Sequence, residues 1–338
     1  MILELIDWLL RKWGIAMTLS QKDLEPLLSN EMKKVLQIQA ERAKDAFVTD
    51  GSVADLRNAY IEERRFWNQD GPDMAQIIDR TILGPHGELH FRCYLPQGME
   101  KSSASDLLLY LHGGGFVVGS CDTHDKIMRL LADLGKFVVV GLDYHLAPEY
   151  QFPVQLDECV FFAEQCLNDP ASVLPIPFNG RLHLCGDSGG AHLALASYLA
   201  LQDRGTEISS IKSLILYYGF YGLRDSVSRR LYGSELDGMR EEDLLYYEKA
   251  YLGDQSSQHK FYDLCSNDFS GALPKVYIGA CKLDPLLDDS KLLYRLLRNK
   301  TTCQFEVYPG VLHGFIHYSS DMEAAYRALW NGVHFILN

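Results

Sequence analysis

The chain has 338 residues, enough for one large α/β domain with insertions or for two small domains. Hydrophobic residues make up 47% and charged residues 23%, a composition able to bury a sizeable core. Against 32 Lys and Arg stand 45 Asp and Glu, a formal net charge of −13; so acidic a surface repels phosphate backbones and anionic membranes and excludes nucleic acid as a first reading. The eight cysteines form no C-x-x-C pair and several sit inside apolar runs, which reads as buried free thiols in a reducing, cytoplasmic compartment.

Met1 to Ile15 is amphipathic at helical spacing, but its basic pair, Arg11-Lys12, follows the apolar run instead of preceding it as a secretory signal requires. The segment reads as an extension, roughly 1–17, ahead of a second start at Met17, or as a peripheral helix with a thin basic face. No stretch of about 18 uninterrupted apolar residues occurs, so no membrane span is expected. Gln21 to Ala46 and Asp55 to Trp67 are two candidate helices, the second capped at Ser52. They form either a lid or a packed N-terminal layer, a helical segment over 1–75 ahead of a main domain over 76–338.

Ile77–Leu83 and Glu88–Leu95 flank Gly84-Pro85-His86-Gly87 and predict an antiparallel hairpin. Apolar runs follow at Leu107–Leu111, Phe137–Tyr144, Leu182–Cys185, Ser213–Tyr218, Val276–Ala280 and Phe305–Tyr308, most of them separated by helix-compatible segments. That rhythm predicts an α/β fold with a mostly parallel eight-stranded sheet covered on both faces. The gap over 219–273, with a helical pattern at Glu241–Leu252, is too long for a simple crossover and predicts a second cap element.

Ligands of a parallel sheet meet the carboxyl ends of its strands, so polar residues after each strand are the candidates. Gly186-Asp187-Ser188-Gly189-Gly190 has the G-x-S-x-G form of a strand-to-helix turn that lifts a nucleophilic serine above the sheet. His112-Gly113-Gly114-Gly115 follows another strand and offers backbone N–H groups to an oxyanion. The expected oxyanion hole is therefore the N–H groups of Gly113, Gly114 and Gly189, with His112 ordering the loop. Among eleven histidines, His313 stands in the loop after the last strand, where an imidazole can act as base, and His317 is its competitor. His183, His192 and His334 read as structural. Asp284 follows the preceding strand and is the orienting acid; Asp288 and Asp289 read as solvated helix charges, and Asp187 as structural. Nucleophile, acid and base then come in the order Ser188, Asp284, His313.

With these residues assigned, the sequence resembles the α/β-hydrolase superfamily and, within it, the hormone-sensitive-lipase-like branch (GDXG lipolytic enzymes). The residues that carry the likeness are HGGG at 112–115, DYHLAPE at 143–149 with Phe152-Pro153, GDSGGA at 186–191, the acid loop DPLLDD at 284–289 and HGF at 313–315. The likeness runs from about Ile77 to the C-terminus. The segments around Glu63–Asn68, Thr123–Ala132 and Tyr221–Leu231 are more similar still to the bacterial acetyl esterases. One departure is Gly189, where the branch usually has alanine; a backbone donor is indifferent to that change.

The resemblance implies hydrolysis of short-chain acyl esters through an acyl-enzyme, with no metal or organic cofactor. His313 would deprotonate Ser188 while Asp284 fixes the imidazole tautomer. The same resemblance admits a homodimer and inhibitory contacts with a maltose-regulon activator and an α-galactosidase. The alternatives are a peptidase or true lipase on the same fold, or a protein-binding regulator in place of an enzyme.

Overall fold

The computed structural model describes residues 21–42, 46–100 and 102–338. The amphipathic stretch Met1 to Ile15 lies outside the described residues. The apolar runs form eight strands: β1 (Met74–Gly84), β2 (Gly87–Pro96), β3 (Ser105–Leu111), β4 (Val138–Asp143), β5 (Phe178–Asp187), β6 (Ile211–Tyr217), β7 (Lys275–Cys281) and β8 (Cys303–Tyr308). They form one sheet in the order β1-β2-β4-β3-β5-β6-β7-β8. β1 with β2 and β2 with β4 pair antiparallel, and every other neighbouring pair is parallel. The expected eight-stranded sheet is present, and its first strand begins at Met74, so the boundary set at 75/76 falls within β1.

The strands are apolar along their length because both faces are covered. On β3, Leu107, Leu109 and Leu111 enter one core, while Leu108 and Tyr110 enter the other. β6 divides likewise, with Leu214 and Leu216 on one side and Ile215 and Tyr217 on the other.

Among the described residues, two helices of more than two turns precede the sheet, α1 (Asn30–Arg42) and α2 (Val53–Trp67). The expected continuous helix from Gln21 to Ala46 is broken. A short helical turn gives way to a tight turn at Glu25–Leu27 around Pro26, Leu28 is extended, and Ser29 Oγ then caps the new helix from the Met32 N–H at 3.0 Å. Proline and a capping serine three residues apart explain the break. α2 starts as its sequence suggested, with Ser52 accepting the Asp55 N–H at 3.1 Å.

Within the sheet region follow α3 (Asp125–Gly135), α4 (Val154–Asn168) and α5 (Gly189–Asp203). The long connection from β6 to β7 carries α6 (Val227–Tyr232) and α7 (Glu241–Leu252); α8 (Leu287–Leu297) and α9 (Glu323–Leu337) complete the chain. α4, α5 and α8 cover one face of the sheet; α3 and α9 cover the other. Among the described residues no helix is long and apolar enough to cross a membrane.

Asp288 and Asp289 are not solvated charges. Asp289 is fully buried and accepts the N–H groups of Tyr221 and Leu223 at 2.8 and 3.1 Å. Burial pushes its carboxyl up to about 7, more than the charge of Arg229 and the two N–H bonds can offset. Asp288 accepts the Ser228 N–H at 2.9 Å and pairs with Lys291 at 2.8 Å. Together the two acids fasten the root of the β6–β7 connection to α8. Thr49 Oγ1, donating to Asp243 at 2.6 Å, ties that connection to the N-terminal segment.

The turn after β5 is the tightest point of the fold. Ser188 has φ 52° and ψ −120°, a region that side chains avoid. A methyl group on Gly190 would overlap the Leu111 carbonyl oxygen and lie 2.6 Å from that of His112, whereas one on Gly189 would meet Phe116 at 3.3 Å. Gly190→Ala is therefore expected to cost about 1–3 kcal/mol in chemical denaturation. Gly189→Ala should cost well under half as much, since only the Phe116 ring has to shift. Equal costs would show that close backbone approach does not set the glycine at 190.

Candidate active site

β5 delivers Ser188, β7 delivers Asp284 and β8 delivers His313, all from the carboxyl edge of the parallel strands. The Ser188 Oγ lies 2.8 Å from His313 Nε2, and His313 Nδ1 lies 2.8 Å from Asp284 Oδ2. Asp284 is fully buried and its other oxygen accepts the Leu286 N–H at 2.7 Å, which fixes the carboxylate toward the ring. An ionised carboxylate accepts only, so Nδ1 carries a proton and Nε2 is free to take one from the serine. Burial works against a charged His313, but Asp284, by its charge and its hydrogen bond, and then Asp237 and Asp187 outweigh it and raise the imidazole above its ordinary value.

The oxyanion assignment requires one correction. The Gly113 N–H donates to Asp187 Oδ1 at 2.9 Å, so it is spent inside the core and unavailable to a substrate. Gly114 and Gly115, at φ 115° and 57°, carry the chain over the cavity, which they line together with Ser188 and Gly189. The N–H groups of Gly114, Gly115 and Gly189 have no hydrogen-bond partner among the described residues. Gly115 was legible as part of the glycine run; which of the three N–H groups is already occupied was not. His112 orders the loop as expected. Its ring stacks on Tyr144 at 4.2 Å, its Nδ1 lies 2.9 Å from the Gly113 carbonyl, and Tyr144 Oη donates to the His112 carbonyl at 2.7 Å.

Asp187 is structural in its contacts: it also accepts from Tyr110 Oη at 2.7 Å and lies 3.4 Å from His124 Nε2. Although it is buried, His124, Tyr110 and the Gly113 N–H hold its carboxyl down to about 2. His317 faces His124, with ring centroids 4.6 Å apart, and makes no hydrogen bond to Ser188 among the described residues. His183 is buried between Ser213 and Asp106, and His192 between the carbonyls of Phe220 and Phe261.

The cavity over Ser188 measures about 110 Å3, and both helical segments roof it. Gln39, Phe47, Tyr60 and Arg64 reach it from the N-terminal side; Phe220, Arg229, Asp237, Tyr247 and Glu248 reach it from the β6–β7 connection. Asp237, which sequence reasoning missed, accepts the backbone N–H of His313 at 3.3 Å and the Ser234 hydroxyl at 3.0 Å. Its carboxyl is pushed up to about 7, chiefly by burial. It lies in an irregular stretch with no neighbouring motif, so only the folded chain reveals it.

Comparison with known proteins gives the family. A family model described as the alpha/beta hydrolase fold matches residues 108–317. Acetyl esterases of Salmonella dublin and Salmonella enteritidis are each 41% identical over 318 residues, covering 92% of this chain and 94% of theirs. A hyperthermophilic esterase from the archaeon Pyrobaculum calidifontis superposes with a TM-score of 0.83 at 29% identity, covering 91% of this chain and 97% of its own. A thermostable carboxylesterase from a metagenomic library gives 0.78 at 27%, over 85% and 97%. The eight-stranded, mostly parallel sheet with its serine turn is an α/β-hydrolase architecture. The chain belongs to the alpha/beta hydrolase fold family.

The charge environment of His313 gives a direct test. Its NMR titration midpoint is expected above the ordinary imidazole value of about 6.5. Asp284→Asn removes the main raising influence and leaves burial to dominate, so the midpoint should fall below that value. A midpoint unmoved by the substitution would contradict the electrostatic account.

Proposed function

We propose that this chain hydrolyses short-chain, acetyl-type carboxylic esters, with Ser188 as nucleophile, His313 as general base and acid, and Asp284 as the orienting carboxylate. One observation carries the reading: a hydrogen-bonded Ser188–His313–Asp284 relay opens into a cavity beside three unpartnered backbone N–H groups. Ser188 Oγ attacks the acyl carbon as His313 Nε2 takes its proton, and the N–H groups of Gly114, Gly115 and Gly189 receive the oxyanion. The tetrahedral intermediate collapses as His313 passes that proton to the departing alcohol. A water molecule then repeats the sequence and frees the carboxylic acid. The proton balance closes with these side chains and water.

Small acyl groups are favoured by what stands around the oxyanion loop. A methyl group on Gly115 would lie 2.6 Å from Tyr247 Cγ, and the Phe116 ring closes over Gly189. With Tyr247 and Phe116 so placed, little room is left beside the serine for a long acyl chain. The names of the Salmonella relatives support the same acyl group. The helices over 21–67 and the connection over 219–273 act as the cap. A small-molecule ester is thus the substrate class. All eight cysteines are free thiols, which supports a reducing, cytoplasmic setting. The peptidase and protein-binding alternatives are not favoured by relatives that are esterases by name. A homodimer and contacts with a transcriptional activator or an α-galactosidase gain no support from the fold, the site or the relatives.

Ser188→Ala should lower kcat on p-nitrophenyl acetate by about 10⁶-fold while leaving the thermal melt in place. Across a p-nitrophenyl ester series, kcat/KM should peak at acetyl and fall as the acyl chain lengthens. A variant that keeps most activity would remove Ser188 from the mechanism, and a flat series would remove the short-chain limit.

A further inference from the structure

Beside the base lies a donor and acceptor pair that the ester chemistry leaves unused. Arg64 extends from α2 into the cavity with a side chain only 4% exposed. Its Nη1 is engaged, 3.1 Å from Glu63 Oε2 and 3.4 Å from Tyr318 Oη. Its Nε is buried without a partner. The guanidinium is held in place by the rings of Tyr60, Phe47 and Tyr318 at 4.8, 5.4 and 5.8 Å, and Glu63 is itself fixed by Gln39 and Trp67. A buried guanidinium with a spare donor in a substrate cavity carries a free-energy penalty that a ligand oxygen would relieve.

Its place identifies which part of the substrate it meets. A methyl group on Gly314 would lie 3.6 Å from Arg64 Nη2, so the donor stands next to His313. The base hands its proton to the departing alcohol, so the alcohol side of the ester lies over His313, away from the oxyanion loop. On the same side Asp237 lines the cavity; its two oxygens take the His313 N–H and the Ser234 hydroxyl, and each keeps a further lone pair.

Three kinds of alcohol can be compared. An alkyl group satisfies neither Arg64 nor Asp237. A carboxylate satisfies Arg64 but sets a second acid against Asp237, so one of the two must hold a proton, whereas a hydroxyl can meet Asp237 in either protonation state. A hydroxyl both accepts and donates, so it alone suits the pair. We propose that Arg64, with Asp237, forms a leaving-group subsite for acetyl esters of small alcohols bearing further hydroxyl groups. The inference rests on the esterase reading and adds the nature of the alcohol to it.

The test compares kcat/KM for glycerol monoacetate with that for 2-methylbutyl acetate, its hydroxyl-free shape analogue, and for acetoxyacetate. p-Nitrophenyl acetate and fluorophosphonate titration of Ser188 report the basic chemistry and the number of folded sites. The wild type should prefer the glycerol ester over the alkyl ester by about tenfold or more, with the carboxylate ester poorer than the glycerol one. The double variant Glu63→Gln with Arg64→Met, which avoids stranding a buried glutamate, should bring the glycerol-to-alkyl ratio toward one. Arg64→Lys, which keeps a donor, should retain part of it. A wild-type ratio near one, a ratio that survives the double variant, or a preference for the carboxylate ester would overturn the subsite. If the double variant yields no titratable sites, the wild-type ratio and Arg64→Lys decide. Absence of wild-type p-nitrophenyl acetate cleavage would instead remove the esterase reading and the subsite with it.

Discussion

The closest constraint in this molecule is the contact between the serine turn and the end of the neighbouring strand. Gly190 passes so near the Leu111 and His112 carbonyls that no side chain fits, and Gly186 packs closely against Gly190 and the same Leu111 carbonyl. That contact holds Ser188 at a positive φ and brings the glycine loop after β3 alongside the nucleophile. Strain of order 1–3 kcal/mol at one residue persists only where surrounding packing over-determines it. Here the packing comes from two cores on either side of a sheet whose central strands are buried on both faces.

Asp187 secures the same junction from below. It is a buried carboxylate that spends its lone pairs on Tyr110, on the Gly113 N–H and toward His124, so the first glycine of the loop is anchored and the next two are left to face the cavity. The division of work among three consecutive glycines follows from one acid. The residue beside Ser188 thus decides which N–H groups of the glycine run stay free.

The roof over the cavity is attached through a second set of acids, two of them buried. Asp289 receives two N–H groups at the root of the β6–β7 connection, Asp288 a third, and Asp243 binds the N-terminal segment through Thr49. The two roof segments are remote in sequence but meet where Phe47 packs against Gly238. The residue before Gly238, Asp237, then reaches the backbone of His313. Roof and base are joined by a single turn, which places the cap's composition in direct contact with the chemistry.

Periodicity and spacing determined the strand list, the serine turn and the order of Ser188, Asp284 and His313. These are local in origin: a buried strand is an apolar run, and a strained turn or an ordered loop needs glycine within a few residues. The break at Pro26 and Ser29 was equally local and was hidden only by a helical pattern that continued across it. Other features depended on distant contacts and only the folded chain decided them. Asp289 looks like any helix-surface acid until Tyr221 and Leu223 turn their N–H groups toward it. Gly113 looks like Gly114 until Asp187 occupies it. Asp237 belongs to no motif, Arg64 stands in the 63–68 segment with no role that its sequence assigns, and the two line one cavity only because two roof segments, far apart in the chain, close over one strand edge. A hydrogen bond made across such a separation leaves no periodic trace in the sequence, and that is why the chemistry could be read from it while the walls of the cavity could not.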